Sequence, residues 1–446
     1  MAMTHLNRRE FLRLGAAGAG GLALAPLVAA CGGGTPSSQP TPGSGPATLS
    51  YPSWEFGEEG VGDYWKATIQ AYEKQHKGVT LDPTTIPSNS YADKITTEIA
   101  SGQTPDVLPV FTNDIFQLVQ SDLLEPLDSY LGKTSWAGKE LPLYKVGHIG
   151  GHHYGIVQTA SPQGLLYNKQ LLDQAGVTSI PTTPEQFFDA CKAVKAKTGQ
   201  WGYALPTDPS ETQNSYITTM QWVLGYGSDW TDKSGRPTAN GRKTVQAMQM
   251  LQQILDSGVA PKGMNTVNSR ALFKDGKAAL MIDGPWVLTY VKTGNASLYP
   301  SCGFAAPPTP THAAITGGAF WVMMKRAKRK DLIWAYYDLV NQESWQRRWL
   351  EDIVQLPGQS IQPSAAFLKD NAWVKDMVDI AAKYQAGFGY APPSPKLAPH
   401  AAEFQKQVVD SVAPIWNGSV GVASGLDQLQ QKLVAWEKDN DIKPGS

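Results

Sequence analysis

Residues 48–110 read TLSYPSWEFGEEGVGDYWKATIQAYEKQHKGVTLDPTTIPSNSYADKITTEIASGQTPDVLPV, and this stretch decides the class of the fold. It alternates short apolar runs, typical of strands, with longer segments whose apolar residues recur at helical spacing. The predicted strands are 48–51, 79–81 and 106–110, and the predicted helices are 63–76 and 92–101. Such strand–helix alternation predicts an α/β fold with a mostly parallel sheet that carries helices on its faces.

The same rhythm resumes downstream of this stretch. Residues 165–167 and 201–205 are predicted strands on either side of a predicted helix at 184–198. Long amphipathic segments then dominate the rest of the chain. These further predicted helices are 240–257, 331–341, 372–384, 400–416 and 423–439. Because about 400 residues of ordinary globular composition usually divide into two domains, we expect two.

The N-terminus has the features of an export signal. Arg8 and Arg9 are followed by Phe-Leu and then by an uncharged Ala/Gly/Leu run that ends in Val28-Ala29-Ala30-Cys31. This pattern predicts a twin-arginine lipoprotein signal peptide at 1–30, with lipid attached to Cys31. Residues 31–47 are rich in Gly, Ser and Pro and carry no charge, which predicts a flexible linker. We therefore expect an exported protein anchored by lipid to the outer face of the cytoplasmic membrane.

The overall composition excludes some classes of function. With 38 Lys and Arg against 39 Asp and Glu, the chain is nearly neutral and has no basic stripe for nucleic acid. Beyond the signal, no run of about 18 apolar residues predicts a membrane span. Apart from Cys31, the cysteines are Cys191 and Cys302, which have no metal-binding spacing. Cys191 is expected to be a small buried hydrophobe, and a disulfide between the two remains open.

Six segments, in order, resemble the family 1 extracellular solute-binding proteins, the group that includes maltose-binding protein. They are ASGQTPDV at 100–107, SDLLEPLD at 121–128, YGI at 154–156, LLYNKQLLDQAGV at 165–177, FKDGKAALMIDGPW at 273–286 and GGA at 317–319. The segment at 273–286 is the most specific. One departure is Asp122, which stands where this family usually has Gly.

The resemblance implies a type II periplasmic-binding-protein-like fold, in which two α/β lobes are joined by crossing segments and close on a ligand in the cleft between them. We place the crossings near 158–161, 317–320 and 352–355. The expected hinge residues are Gln158, Thr159, Ala160, Ser161, Gly317 and Gly318. The expected domains are 48–158 plus 318–352 for lobe 1, and 159–317 plus 353–446 for lobe 2.

The ligand implied by the resemblance is a neutral carbohydrate of one to several sugar units. The chain has 14 Trp and 17 Tyr, and an aromatic face suits the C–H face of a sugar ring. The ligand-binding residues carried over from the family pattern are Trp54, Glu55, Asn89, Tyr91, Thr112, Asn113, Asp114, Asn214, Tyr216, Trp286, Trp321 and Tyr390. Asp283 could equally anchor the following Gly-Pro turn or contact the ligand.

The expected partners follow from the same resemblance. The protein would be a monomer that delivers its ligand to the permease subunits of an ABC transporter. Because the chain contains no phosphate-binding P-loop, the ATPase would be a separate subunit. We expect no catalytic residues, no cofactor and no metal.

Three alternatives compete with a sugar receptor. An exported glycoside hydrolase would need two suitably spaced carboxylates, for which Glu55, Asp114 and Asp283 are the candidates. An iron receptor would use a tyrosine pair such as Tyr336-Tyr337, but that pair lies in an amphipathic helix and is expected to pack. A glycerol phosphate receptor would need Arg or Lys in the nominated loops, and these have essentially none.

A histidine cluster is weak evidence for a metal site. His148, His152 and His153 flank two glycines, a pattern that predicts a hairpin turn before a strand. They have no acidic or cysteine partner at ligand spacing in the sequence.

Overall fold

The computed structural model describes residues 46–112, 114–139, 142–388 and 394–443. The predicted signal peptide, Cys31 and nearly all of the linker lie outside the described residues. So do Asn113, Tyr390 and the side chain of Asn89.

The described residues form twelve strands and sixteen α-helices. The strands are β1 (Ala47–Ser53), β2 (Val79–Thr85), β3 (Leu108–Phe111), β4 (His148–Ile149), β5 (His152–His153), β6 (Gly155–Pro162), β7 (Gly164–Asn168), β8 (Trp201–Tyr203), β9 (Ala278–Asp283), β10 (Cys302–Ala305), β11 (Ala314–Val322) and β12 (Gln385–Phe388).

The first eight helices are α1 (Gly62–Gln75), α2 (Ser88–Ala100), α3 (Asp114–Gln120), α4 (Asp128–Leu131), α5 (Lys169–Gln174), α6 (Pro184–Thr198), α7 (Thr212–Gly225) and α8 (Arg242–Asp256). The others are α9 (Thr266–Lys274), α10 (Trp286–Gly294), α11 (Lys330–Val340), α12 (Glu343–Asp352), α13 (Ala365–Asp370), α14 (Val374–Lys383), α15 (Ala401–Trp416) and α16 (Val422–Asp439). Short 3₁₀ turns occur at Glu55–Gly57, Pro142–Gly147, Tyr299–Ser301 and Pro395–His400.

Helix α6 shows why local sequence predicted the elements well. The Thr183 side chain accepts a hydrogen bond from the Gln186 amide, and Pro184 occupies the first helical position, where its missing amide hydrogen costs nothing. Gly199 ends the helix with φ +72°, a conformation that glycine adopts without strain. Both ends match the predicted helix at 184–198. Helix α2, in contrast, begins four residues before its predicted start at residue 92.

The prediction of a mostly parallel sheet is wrong. Among the described strands, only β1–β2, β8–β9 and β11–β12 pair in parallel. One sheet has the order β10-β7-β9-β8, and a second has β12-β11-β3 with β6 also paired to β11. The reason lies in the path of the chain: β6 leaves the first lobe and β11 returns to it, so the two strands run in opposite directions.

The hydrophobic cores show two lobes, as predicted. One core takes its residues from 49–160 and 319–353. A second takes them from 165–315 and 397–436, and a third, beside it, from 166–314 and 350–380. The chain therefore passes between the lobes more than once. The exact domain limits given above stay a prediction.

Two other sequence expectations concern the cysteines and membrane spans. Cys191 and Cys302 are both buried, and both are free thiols. Burial of Cys191 agrees with its prediction as a small hydrophobe. Within the described part of the chain, no helix is long and apolar enough to cross a membrane.

Candidate functional site

A cavity of about 340 Å³ lies between the two lobes. Its first wall comes from the turn after β1, the start of α2 and the end of β3. Its second wall comes from α7, α9, β9 and α10, and its floor from the crossing segments. This volume lies near the lower end of the ~300–1,000 Å³ that is typical of small-molecule sites. The cavity is therefore the first candidate for the functional site.

The floor consists of three segments joined by hydrogen bonds. Strands β6 and β11 pair so that Ser161 faces Gly317 and Ala160 faces Gly318. The amide of Ala160 donates to the carbonyl oxygen of Leu356 at 3.0 Å, and the Leu356 amide donates to Ser161 Oγ at 2.9 Å. The segments near all three predicted crossings thus touch one another beneath the cavity.

One residue of the third crossing has an unusual backbone. Val354 has φ +58°, a conformation that β-branched residues rarely adopt because of steric clash. Its neighbour Gln355 lines the cavity, and Thr159 Oγ1 donates to Leu356 O at 3.0 Å. Strained residues of this kind concentrate at functional and switching segments.

The first-lobe wall is an aromatic cluster around Trp54. The Trp54 ring stacks on Phe111 with centroids 4.2 Å apart, and Tyr91 meets it edge-on at 4.8 Å. The Tyr91 hydroxyl donates to the carbonyl oxygens of Pro109 at 2.6 Å and Pro52 at 3.2 Å. Trp54 and Phe111 line the cavity, while Tyr91 supports them from behind.

Glu55 is a carboxylate buried at the junction of this wall and the floor. Only 4% of its surface is exposed, and its Oε2 accepts a hydrogen bond from Gln158 Nε2 at 2.5 Å. Burial, helped by repulsion from Glu58, holds the pKa of Glu55 well above its usual range, although the Gln158 hydrogen bond opposes the shift. Glu55 is therefore a buried side chain that accepts a hydrogen bond at the junction of the wall and the floor.

Trp286 forms the aromatic part of the second-lobe wall. It is the first residue of α10, and its six-membered ring leans on Gly284 and Gly317. A Cβ atom at Gly284 would lie 2.1 Å from this ring, and one at Gly317 would lie 3.0 Å from it. A side chain at position 284 would displace the indole, and one at position 317 would crowd it, which explains the glycines of the GPW and GGA segments in physical terms.

A charged pair lies beside Trp286. Arg270 Nε donates to Asp283 Oδ2 at 2.7 Å and Arg270 Nη2 to Oδ1 at 3.2 Å, a two-pronged geometry. The guanidinium carbon lies 5.6 Å from the centroid of the Trp286 ring. Burial disfavours the charge, but Asp283, together with Tyr290 and Glu58, keeps the pKa of Arg270 above its usual range. Asp283 also accepts from the Gly284 amide at 2.7 Å.

The rest of the second-lobe wall includes the beginnings of two helices. Glu211 Oε2 accepts from the Thr266 amide at 2.9 Å and the Thr266 hydroxyl at 2.6 Å, which ties α9 to the start of α7. Asn214 in the first turn of α7 lines the cavity and donates to the same oxygen at 3.4 Å. This wall therefore offers an amide and an acid at the cavity surface.

A comparison with protein-family models matches residues 57–347 to the bacterial extracellular solute-binding proteins. The match covers more than half of the chain and includes the cavity residues on both walls from Glu58 to Ala319.

The chain belongs to the bacterial extracellular solute-binding protein family.

Individual relatives agree with this assignment. A putative binding protein of Brucella abortus is 26% identical over 320 residues, covering 70% of this chain and 76% of the relative. The maltotriose-binding protein of Pyrococcus abyssi is 28% identical over 207 residues, 44% of this chain and 40% of its own. The fold is similar to that of the GacH receptor of Streptomyces glaucescens, with a TM-score of 0.76, 21% identity, and 88% and 98% of the two chains covered.

The structure of the solute-binding protein brings together some of the predicted ligand residues. Trp54, Glu55, Asn214 and Trp286 line one cavity, together with the predicted hinge residues Thr159, Gly317 and Gly318. The other predicted hinge residues, Gln158, Ala160 and Ser161, are buried beside it. Asp283, left undecided above, both anchors the Gly284 turn and lines the cavity.

Two predicted aromatic contacts need correction. Tyr216 is fully buried in the second-lobe core, because it lies two positions after Asn214 on α7 and so faces away from the cavity. Trp321 is 1% exposed in the first-lobe core, where its ring stacks on Tyr337 at 5.4 Å. Strand β11 is buried on both faces at this point, so strand position alone did not show which side chain would reach the cleft.

Three further predicted residues lie behind the first-lobe wall instead of on the cavity surface. Tyr91 supports Trp54 from the core, as described above. Thr112 is fully buried and its Oγ1 donates to the Gly318 carbonyl oxygen at 3.1 Å, which connects the wall to the floor. Asp114 begins α3, and burial raises its pKa to about 7, but it does not line the cavity.

Several cavity residues escaped prediction. Arg270 lies on helix α9, outside the nominated loops, and reaches the cavity from there. Phe111, Glu58 and Tyr290 also line the cavity. Phe111 ends the Pro-Asp-Val strand segment, so its position after a strand was a usable signal. The sequence contained no signal for Arg270 or Tyr290, because helical spacing does not show which face of a helix meets the cleft.

The residues of the iron and metal alternatives lie elsewhere. Tyr336 and Tyr337 are fully buried in the first-lobe core, as predicted, and the Tyr337 hydroxyl donates to Val322 O at 2.7 Å. His148 and His153 pair across the predicted hairpin, and both His152 and His153 contact Asp128. In the ranges that the structure describes, no group of three or more His, Cys, Asp or Glu residues is arranged to hold a metal ion.

Proposed function

We propose that this solute-binding protein captures a neutral carbohydrate between its two lobes and delivers it to an ABC transporter permease. The observation that carries the proposal is the pair of aromatic surfaces on opposite cavity walls, Trp54 with Phe111 on one side and Trp286 on the other. Two such surfaces can cover both faces of a sugar ring, and the polar side chains between them can bind its hydroxyl groups.

The charges in the cavity favour a neutral ligand over an anionic one. Arg270 is the one basic side chain that lines the cavity among the described residues, and Asp283 already occupies it with two hydrogen bonds. Glu55, Glu58 and Glu211 also line the walls. A phosphate or carboxylate would therefore meet acids without a spare guanidinium to bind it. The maltotriose-binding relative and the GacH receptor, solved with acarbose, support a saccharide ligand.

A thermal-shift screen against a carbohydrate panel tests the ligand class. A ligand that binds only the folded protein raises its melting temperature, so at least one mono- or oligosaccharide is expected to do so. Glycerol 3-phosphate serves as the anionic comparison and should give no shift. If glycerol phosphate stabilises the protein and no sugar does, the proposal fails.

The protein is proposed to bind its ligand without turning it over. Glu55 and Glu58 are acids with raised pKa values in a sugar-sized cavity, which is the one feature shared with a glycoside hydrolase. The relatives are binding proteins. Incubation with chromogenic glycosides is expected to release no product at protein concentrations that bind sugar. Saturable turnover by the wild type that disappears in the Glu58→Gln variant would show that the protein is an enzyme and not a receptor.

The N-terminal segment is proposed to export and anchor the receptor near its permease. Arg8→Lys with Arg9→Lys should leave the unprocessed protein in the cytoplasm, since the arginine pair is the recognised part of a twin-arginine signal. Cys31→Ala should remove the lipid and release the receptor from the membrane fraction. Membrane retention of the Cys31→Ala protein would contradict lipid anchoring.

A further inference from the structure

The two lobes touch at one tight turn beside the cavity. Gly60, in the turn before α1 of the first lobe, has φ +81° and faces α10 of the second. A Cβ atom at Gly60 would lie 2.6 Å from Thr293 Oγ1 and 3.1 Å from Thr289 Cγ2. From the other side, a Cβ at Gly294 would lie 2.7 Å from Glu59 Oε1. The lobes thus approach each other closely at these two glycines.

Glu58 lies at the start of this turn and lines the cavity between the lobes. Arg270 and Tyr290 of the second lobe line the same cavity as Glu58, and both favour its charged form, Arg270 through its positive charge and Tyr290 through a side-chain hydrogen bond. The other charged groups near this point are Asp283, Glu55 and the more exposed pair of Glu59 and Lys274, whose Oε2 and Nζ are 3.8 Å apart. Glu58 is therefore a first-lobe carboxylate whose hydrogen-bond partner belongs to the second lobe.

The contact at Glu58 leads directly to the aromatic surface of the second lobe. Arg270 is held by Asp283 and lies over the ring of Trp286 at 5.6 Å. Tyr290 is one turn after Trp286 on the same helix, so the two side chains share a face of α10. Contact of the Glu58 turn with the second lobe therefore affects α10 and the Arg270 guanidinium, which together position the Trp286 ring.

We propose that Glu58 is a positioning residue for ligand capture: by docking on Tyr290 and Arg270 across the cleft, it sets the closed arrangement in which Trp286 meets the ligand. The role of Trp286 rests on the proposed function. The docking of the turn is independent of the proposed function, because both partners are side chains of the protein and closure can be measured without any ligand.

The docking has a pH dependence with a definite sign. Burial between the lobes raises the pKa of Glu58 from its ordinary 4.5 to about 7, although Arg270 and Tyr290 oppose the shift. If opening returns Glu58 to water and to its ordinary pKa, closure takes up a proton. Closure is then fully favoured below about pH 4.5 and weakens as the pH rises to about 7. Because one pKa unit is a factor of ten in an equilibrium constant, the closure constant should fall by roughly tenfold or more across this window.

Small-angle scattering of the ligand-free protein between pH 5 and 9 tests this proposal. The radius of gyration of the wild type should increase as the pH rises. Glu58→Gln, which stays neutral, should remain compact across the range. Tyr290→Phe removes a donor that favours the charged carboxylate, so the midpoint of the transition should move to higher pH. Glu59→Gln, the matched control at the next position, should follow the wild type because its ion pair is long and more exposed.

Clear results would overturn the proposal. A wild type whose dimensions do not change with pH, a Glu58→Gln protein that expands like the wild type, or a Glu59→Gln protein that loses the transition would each do so. If Glu58→Gln does not fold, the shift of the pH midpoint in Tyr290→Phe provides a second test of the proposal. If the carbohydrate screen finds no ligand while Glu58→Gln still abolishes the transition, the proposed function fails and the positioning role stands. If sugar binds but the wild type shows no pH-dependent transition, the proposed function stands and the positioning role fails.

Discussion

The two walls of the cleft present aromatic rings in different ways. On the first-lobe wall, Trp54 is only 7% exposed and is held by Phe111 and Tyr91, so the wall is an extension of the core. On the second-lobe wall, Trp286 leans on two glycines next to the Arg270–Asp283 pair. One wall is held by apolar packing and the other by a charge pair and close backbone contact. The comparison indicates that residues of the first wall serve stability and binding together, while Trp286 can serve binding more independently.

The largest effect is expected from Trp54→Ala. Removing a buried tryptophan leaves a cavity among Phe111 and Tyr91, and we expect the free energy of unfolding to fall by about 3–5 kcal/mol in urea titrations. Val267→Ala is a matched control on the same cavity: Val267 is 70% exposed, so its change should stay within about 0.5 kcal/mol. Equal effects of the two substitutions would remove the distinction drawn for the first wall.

Asp283→Ala should follow, with a loss of about 3 kcal/mol in the free energy of unfolding. The side chains of Asp283 and Arg270 are 7% and 25% exposed, and the substitution leaves the guanidinium without its partner. The control is Asp173→Ala, which breaks the ion pair between Asp173 and Lys169. The side chains of Asp173 and Lys169 are 53% and 59% exposed. That pair should contribute less than about 1 kcal/mol. A cost for Asp283→Ala no larger than for Asp173→Ala would show that charge pairing does not hold the second wall.

Trp286→Ala should weaken carbohydrate affinity by about 1–3 kcal/mol, as loss of a stacking residue does, and should abolish sugar-induced quenching of tryptophan fluorescence. Its effect on the free energy of unfolding should be smaller than that of Trp54→Ala, because Trp286 is only half-buried. Calorimetric titration with the best sugar from the screen measures the affinity. Binding within twofold of the wild type would mean that Trp286 is not a principal contact.

The smallest effect is expected from Tyr91→Phe. The substitution keeps the ring that supports Trp54 and removes the hydroxyl that donates to Pro109 O and Pro52 O. We expect a loss of about 1 kcal/mol in the free energy of unfolding and unchanged sugar affinity. A large loss of affinity with unchanged stability would place Tyr91 on the ligand and not behind it.

Local sequence signals explain why much of the secondary structure and part of the site could be predicted. The cap of Thr183, the proline after it and Gly199 define α6 within a few residues of chain. Trp54 and Glu55 were carried over from the family pattern, and they directly follow a strand, where α/β proteins place ligand contacts. Trp286 was found through the GPW motif, whose glycine the indole ring requires.

Many of the helices and strands could be predicted from the amino-acid sequence alone, because capping, periodicity and turn chemistry act over a few residues. The two lobes and the loops that approach the cleft were implied by the resemblance to the solute-binding family. Which side chains reach the cavity depends on tertiary packing. Asn214 and Tyr216 lie two positions apart on one helix, and packing against the core turned the first to the cavity and the second away. The contact of Glu58 with Tyr290 joins residues far apart in the chain and on different lobes. No local pattern encodes such a contact, because it exists only where two separately packed cores meet.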